Sequence, residues 1–574
     1  MIDTSIQELE TVKYGVKYEI DPIQWSIQSL PCAIDVEDDE HGNFLFIGFH
    51  DGRRGYGFTT LSDSVRAFLS TGLFAGHNAI TDFVKLREWG CQIKDDQLVW
   101  DTMLIQHIQD SSQRTYSLTD VSERVLGVKY RDYETVTGRG KNHKTFNELP
   151  LEVMINKNMM DVYCTWHLWQ HQKQRDYGRR VETYYRELEA PVARIFHQME
   201  QRGVIIDRDY LAPLKLKLET RRAFLRDEIN QIFGPRNWNS PKQVLEGFHA
   251  QGIYPIWQRQ ASTDQRALIY FMDRRGMSQY LEHQKLDTLL TNYVEKYLAF
   301  QTREIHPHFH QTGTRTGRPS CSKPNLLQIP KRDANGRLVR KMFIARPGMK
   351  FGSFDFGQIE PRGLAHMSQD PALCDLFNKG IDFHDFTRDR VEKLQGNRDK
   401  AKILNLSVGY RATSKSVSYQ LQTGESEAQD HIDEWWALFP DLQVWEEKFI
   451  AECSHIGYCT TLLGRRIKID NLDHPQEWKR AAAARQLINN LIQGSCAEIM
   501  KLAMLAVDRA AIPDLYQLCQ VYDELLIEAP QERIEEIAIQ VGHLMKTCCS
   551  QLTVPLIVDA GIGANWAELE KRKV

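Results

Sequence analysis

The stretch "YQLCQVYDELLIEAP" at 516–530 constrains the chain more than any other. Tyr516 to Val521 and Leu525 to Ile527 are two apolar runs of strand type, too close together for anything but a hairpin. Asp523 and Glu524 sit between them, inside a segment that is otherwise built for burial. A buried carboxylate without a partner costs several kcal/mol, so it neutralises or finds a cation. "RPGMKFGSFDFGQIEP" repeats the pattern: Asp355 ends an apolar strand five residues before Glu360. One strand-end Asp is explained by a turn cap or an Arg partner. Two of them, far apart in sequence, point to a shared cation. Paired carboxylates make a hard oxygen site of the kind Mg²⁺ prefers. Two such ions about 3.5–4 Å apart can clamp the attacking and leaving oxygens of a phosphoryl displacement.

A site of that kind needs a phosphate-binding element. In "NRDKAKILNLSVGYR", Arg398, Lys402, Leu406 and Tyr410 recur every four residues and share one helical face. Two cations followed by an aromatic ring suit a triphosphate and a base. In "ARQLINNLIQG", Arg485, Asn489 and Gln493 form a stripe of donors on an otherwise apolar helix. Such donors match the N3 and O2 acceptors that every base pair shows in the minor groove.

The N-terminal third carries a second set of acids. "AIDVEDDE" places Asp35 and Glu37 on one strand face, "GHNAITDF" sets Asp82 four residues after Asn78 on one helix face, and "NMMDVYCTWHLW" puts Asp161 at the start of a helix. Four separated acids could hold two metals and activate water against a phosphodiester.

At 574 residues the chain has room for about four structural units. Its net charge of -4 advertises no global affinity for nucleic acid, although segregated charge can still line a local basic channel. "MIDTSIQELETVKYG" lacks a secretory leader, and no apolar run is long enough to span a membrane. The 11 cysteines show no C-x-x-C spacing and are expected as reduced thiols in a cytoplasmic protein. Residues 31–50 read as a hairpin turning at "EHGN", 15–180 as an α/β unit, and 186–300 as helical. Helix starts are expected at Ser240, with Pro241 at N1 and Gln243 at N3, and at Ser262 with Gln265. Further helices are expected over 397–413 and 477–508.

These segments resemble the family A DNA polymerases, the class of bacterial DNA polymerase I. "DFGQIEPRGLAHMSQD", "RDKAKILNLSVGY" and "VYDELLIE" are similar to the three polymerase motifs of that family. "TRTGRPSCSKPNLLQIP", "TLLGRRIKI", "RQLINNLIQGSCAEIMK" and "GANWAE" match its flanking signatures in the expected order. The N-terminal D-x-E, N-x3-D and final Asp resemble its proofreading 3′–5′ exonuclease. The implied fold is α/β and α+β multidomain: a ribonuclease H-like exonuclease domain at 1–185, then a right hand. That hand has a thumb at 186–317, palm at 318–372, fingers at 373–484 and a second palm segment with motif C at 485–574.

The resemblance also implies roles. Asp355, Asp523 and the carbonyl of Phe356 would hold two Mg²⁺ ions, with Glu524 in support. Asp35, Glu37, Asp82 and Asp161 would hold two more, Mn²⁺ being an alternative ion. Arg398, Lys402, His384 and Gln358 would bind the dNTP, with Lys402 the proton donor to pyrophosphate. Glu360 would exclude the ribose 2′-OH, Leu406 would touch the sugar, and Tyr410 would stack near the templating position. Arg318, Arg485, Asn489 and Gln493 would track the primer–template minor groove. Implied partners are primer–template DNA, dNTPs and replisome proteins such as helicase and single-strand binding protein, for a monomer with no membrane. The layout, without a 5′ nuclease domain, is similar to that of phage enzymes, which act in the host cytoplasm. Four departures stand out: Leu406 where the family has Phe or Tyr, Arg411 after Tyr410 where Gly is common, Tyr522 where it has His, and Lys157 where its exonuclease has Tyr. A nuclease with a polymerase-like body and a non-catalytic DNA-binding protein are the competing classes. The intact Asp355, Arg398, Lys402 and Asp523 argue against both.

Overall fold

Short, largely buried apolar runs between Tyr18 and Asp101 form a sheet. In the computed structural model of the chain, β1 (Tyr18–Ile20), β2 (Cys32–Asp38), β3 (Phe44–His50), β4 (Gly55–Phe58), β5 (Phe74–Gly76) and β6 (Leu98–Asp101) run in the order β1-β4-β3-β2-β5-β6. The structure describes residues 10–22, 24–138, 144–177, 179–257, 259–331, 334–394 and 396–574. Residues 1–9, which open the stretch read as lacking a leader, lie outside that set. The β2–β3 hairpin turns where "EHGN" stands, and Asp39 Oδ1 accepts from the amides of His41 and Asn43 at 2.9 and 2.8 Å. Helix α1 (Ile80–Glu88) links the parallel pair β5–β6, and α2 (Leu151–Gln174) packs on β2 and β3.

Two expectations are corrected in this unit. Asn78 adopts a left-handed φ of 59° ahead of α1, so it shares no helix face with Asp82. Asp161 lies near the middle of α2, because helical pattern already begins at Leu151.

The middle of the chain is helical, with α3 (Arg208–Phe233), α4 (Pro241–Ala250) and α5 (Met277–Leu289). Pro241 does open α4 after Ser240, but no capping bond forms there. Gln243 Oε1 instead accepts from the Asn237 amide at 2.8 Å and closes the preceding loop. The next helix is capped by Asp264 rather than Ser262. The Asp264 carboxylate accepts from the Arg266 amide at 2.9 Å and pairs with its guanidinium, which a serine could not do.

The C-terminal part is built on β7 (Met349–Phe356), whose strand partners arrive much later in the chain. Helices α6 (Ile359–Ser368), α7 (Phe383–Arg390), α8 (Arg398–Val408) and α9 (Glu477–Arg509) intervene. Then β8 (Tyr516–Val521), β9 (Glu524–Pro530), β10 (Val558–Gly563) and β11 (Glu570–Arg572) complete an antiparallel sheet ordered β8-β9-β7-β10-β11. Helix α8 stops at Val408, short of the expected 413. Arg411 turns left-handed at φ 57° and sends its guanidinium to the buried Glu446 at 2.8 Å.

Polar groups buried in one seam join the N-terminal unit to the rest. His107 Nε2 meets the Thr314 carbonyl at 2.8 Å, and Arg465 reaches both His107 and the Arg315 carbonyl. The Tyr184 hydroxyl donates to Glu498 at 2.9 Å. Just past the unit, Glu189 pairs with Lys501. Burial pushes the Glu498 carboxyl up to about 7, although Thr461, the Leu463 amide and Tyr184 donate to it. With its folded pKa above the ordinary 4.5, the native chain holds a proton that the unfolded chain has lost in that interval. Glu498 therefore contributes stability below about pH 4.5, lost as pH rises to about 7, at no more than about 1.4 kcal/mol per pH unit. Denaturant midpoints of wild type and Glu498→Gln should diverge in favour of the variant between pH 5 and 7. Parallel pH profiles would contradict this.

Among the described residues all eleven cysteines are free thiols. No helix among those residues is long and apolar enough to cross a membrane.

Candidate active site

Register brings the two strand-end acids together. Asp355 pairs across the ladder with Glu524, and the Phe356 amide donates to the Asp523 carbonyl at 3.1 Å. Asp523 occupies the two-residue turn between β8 and β9, where Tyr522 takes a left-handed φ of 56°. A tyrosine rarely adopts that conformation, and such strain gathers at functional sites. The two carboxylates have different partners. Lys331 Nζ donates to Asp355 at 3.1 Å and to Glu524 at 3.0 Å. Arg318 donates to Asp523 at 3.2 Å and to Glu360 at 2.8 Å. Burial raises the Asp523 carboxyl to about 6, with Glu360 and Asp355 adding to the rise and Arg318 opposing it. Burial also raises Asp355, against the pull of Lys331. Glu524 is the exception: Lys331 and Arg340 outweigh its burial and hold it below the usual range. Ser353 at 2.7 Å and the Trp566 indole at 3.0 Å also donate to Glu524, so it stands as a fixed anion behind Asp355.

Facing Asp355 across a cleft of about 630 Å³ are His384, Arg398 and Lys402. Asn397 caps α8, accepting from the Lys400 amide at 3.0 Å, and this starts the helix with Arg398 and Lys402 exposed toward the cleft. Arg398 is held by Asp385 at 2.9 Å and Asp382 at 3.0 Å. Gln358 Nε2 donates to the same Asp382 at 2.9 Å. The tautomer of His384 follows from its neighbours. Asn405 Oδ1 accepts from Thr387 at 2.8 Å and from the Trp435 indole at 2.7 Å, which fixes its amide. Asn405 Nδ2 therefore donates to His384 Nδ1 at 3.0 Å, and the ring proton sits on Nε2. Burial lowers the His384 pKa and keeps the ring neutral, a single N–H donor for an anion.

The Tyr410 hydroxyl donates to Glu360, and Leu406 lies 39% exposed beside both in a small hollow. Arg485, Asn489 and Gln493 are partly exposed on α9 beside the buried Ala484, Ile488 and Ile492, so the stripe read in the sequence is open to contact. Arg318 does not join it freely, being engaged with Glu360 and Asp523.

In the N-terminal unit, carboxylate oxygens of Asp35, Glu37 and Asp161 lie within 4.8 Å of one another. Asp82 stands outside that trio, near enough to raise Asp35 and Glu37 electrostatically. Burial, then the neighbouring acids, pushes Asp35 well above the carboxylate range and Glu37 up to about 8; burial lifts Asp82 to about 7. Buried acids this crowded shed their protons readily only to a cation, and an all-oxygen set suits a hard divalent ion. Asp161 differs from the others. Lys157 donates to one of its oxygens, and the Tyr130 hydroxyl donates to the other at 2.6 Å. Asn158 donates to Asp35 at 2.7 Å and to Glu37 at 3.5 Å.

Sequence reasoning missed Lys331, Tyr130 and Asn158. Lys331 and Tyr130 lie in irregular segments where no periodicity directs a side chain. Asn158 was quoted in "NMMDVY", and its place three residues before Asp161 on one helix face was the available signal.

The six-stranded N-terminal sheet, the helical middle and the antiparallel sheet with its facing helices make a mixed α/β polymerase fold. The POL domain of Pol1 from M. smegmatis, solved in complex with DNA primer-template and dNTP, shares it. The TM-score is 0.83 at 24% identity, over 94% of this chain and 96% of that one. Residues 208–568 match the sequence pattern of DNA polymerase family A, and the chain belongs to that family. It is 31% identical to DNA polymerase I of Rhizobium leguminosarum over 520 residues, 86% of this chain and 51% of that protein. It is 30% identical to DNA polymerase I of Pseudomonas aeruginosa over 519 residues, 86% of this chain and 56% of that protein. Against the thermostable DNA polymerase I of Thermus aquaticus it is 34% identical over 406 residues, 67% of this chain and 48% of that protein. The chain thus spans about half the length of the relatives it matches.

Proposed function

We propose that the chain is a template-directed DNA polymerase that extends a primer 3′ end with dNTPs, acting in replication or repair synthesis. The observation that carries this reading is the meeting of Asp355 and Asp523 at one end of the sheet, opposite His384, Arg398 and Lys402. The primer 3′-hydroxyl releases its proton to solvent, O3′ bonds to the α-phosphorus, the bond to the β-phosphate oxygen breaks, and pyrophosphate leaves. Divalent cations on Asp355 and Asp523, Mg²⁺ or Mn²⁺, would lower the pKa of the 3′-hydroxyl and neutralise the triphosphate. His384 Nε2–H and Arg398 hold the phosphates, and Lys402 Nζ gives a proton to the leaving pyrophosphate. Glu360, Leu406 and Tyr410 face the sugar and the base. The partners on this reading are primer–template DNA lying along Arg485, Asn489 and Gln493, and dNTPs, with the chain acting as a monomer. The palm corresponds to 318–372 and 485–574, the fingers to 373–484 and the thumb to 186–317. Single-nucleotide incorporation tests the reading: each template base should select its complementary dNTP. Incorporation independent of the template base would overturn it. Leu406→Phe should shift dNTP-over-ddNTP preference by about tenfold, about 1.4 kcal/mol. An unchanged preference and rate would remove Leu406 from the sugar site.

The N-terminal unit, residues 1–185, is read as a ribonuclease H-like 3′–5′ exonuclease working on Asp35, Glu37, Asp82 and Asp161. The close approach of three of these acids supports it. Asp35→Ala should abolish trimming of a mismatched primer while extension stays within about twofold of wild type, since this cluster and the cleft use separate residues. Equal trimming by both proteins would end that reading.

A further inference from the structure

We propose that the Lys157 ammonium permanently takes the place of one of two divalent cations in the N-terminal acid cluster, leaving a single ion to Asp35 and Glu37. The inference rests on the nuclease reading of that cluster. Lys157 and Asp161 stand one helical turn apart on α2, their side chains 9% and 8% exposed. The ammonium occupies one Asp161 oxygen and the Tyr130 hydroxyl the other, at 2.6 Å. The same ammonium lies 5.3 Å from the centre of the Tyr130 ring, so donor, ring and carboxylate form one packed unit.

A divalent ion on Asp161 would have to break this pair. Separating a buried ion pair leaves an uncompensated charge and would weaken such an ion by roughly a hundredfold or more. Asp35 and Glu37 meet a different neighbour. Asn158 offers them only a neutral amide, at 2.7 and 3.5 Å, which a cation can share or displace. An ammonium is a compact point charge and can face a phosphate oxygen directly. The bond changes stay those of phosphodiester hydrolysis. Water oxygen bonds to phosphorus, the phosphorus–O3′ bond breaks, and a proton from the water ends on the leaving O3′.

The test counts Mn²⁺ ions bound at pH 8, by electron paramagnetic resonance of the free ion. The full chain carries Asp355→Ala and Asp523→Ala, so that the count reports on the N-terminal cluster. The same protein with Asp35→Ala added supplies the background. One ion above background is expected, rising to two when Lys157→Met is introduced. Two ions of comparable affinity with Lys157 in place overturn the proposal and leave the nuclease reading standing. No ion with Lys157, but one or more with Lys157→Met, also overturns it, since the lysine then fills the whole cluster. No ion in either protein overturns the nuclease reading itself. If Lys157→Met fails to fold by circular dichroism, Lys157→Gln replaces it; if that also fails, the count with Lys157 in place decides alone.

Discussion

Asp523→Ala should lower the rate of primer extension by about a thousandfold or more, equivalent to about 4 kcal/mol of barrier. The size follows from what the side chain does. It is one of two carboxylates at the cleft end of the sheet, and it is fixed by a strained turn rather than by a mobile loop. Its loss would remove a ligand of the proposed cation site and would leave Arg318 with Glu360 as its remaining carboxylate partner. The turn itself is backbone-determined, so the fold should survive, and trimming by the N-terminal cluster should continue. Single-turnover extension beside a thermal melt separates the two effects. A loss of less than about tenfold with the fold intact would remove Asp523 from the chemistry.

Lys501→Met should be the most destabilising single change outside the cleft. Lys501 and Glu189 are 2% and 5% exposed, and Glu189 also takes a hydrogen bond from Gln311 at 2.6 Å. Removing one partner of a buried pair typically costs about 3–5 kcal/mol, because the survivor keeps its charge without an answer. The break would fall between α9 and the segment that follows the N-terminal unit, and the denaturation midpoint of the chain should fall accordingly. Glu189→Gln added to Lys501→Met should restore much of the loss by removing the stranded charge. No restoration would mean that packing rather than charge sets the cost.

Much of this architecture was legible because it is written in local pattern. The hairpin at 516–530 was readable from its two apolar runs. So was the long helix from Glu477, whose apolar residues recur at helical spacing. What escaped depended on contacts distant in sequence. Nothing near Lys331 shows that its ammonium bridges Asp355 and Glu524, residues 24 and 193 positions away. Tyr130 reaches Asp161 from a loop, although the position expected to carry a tyrosine holds Lys157. The capping errors have a simpler cause. Gln243, expected to reach back to Ser240, bonds to the Asn237 amide instead, and Asp264 caps the helix after Ser262 while also holding the Arg266 guanidinium.

The central claim is tested most directly by run-off synthesis. The full chain is incubated with a labelled primer on a longer template, the four dNTPs and Mg²⁺, and the product is sized and sequenced. The account predicts extension to the template end with the complementary sequence, and none without Mg²⁺. A folded chain that binds the primer–template but leaves the primer unextended, or only shortens it, would contradict the account.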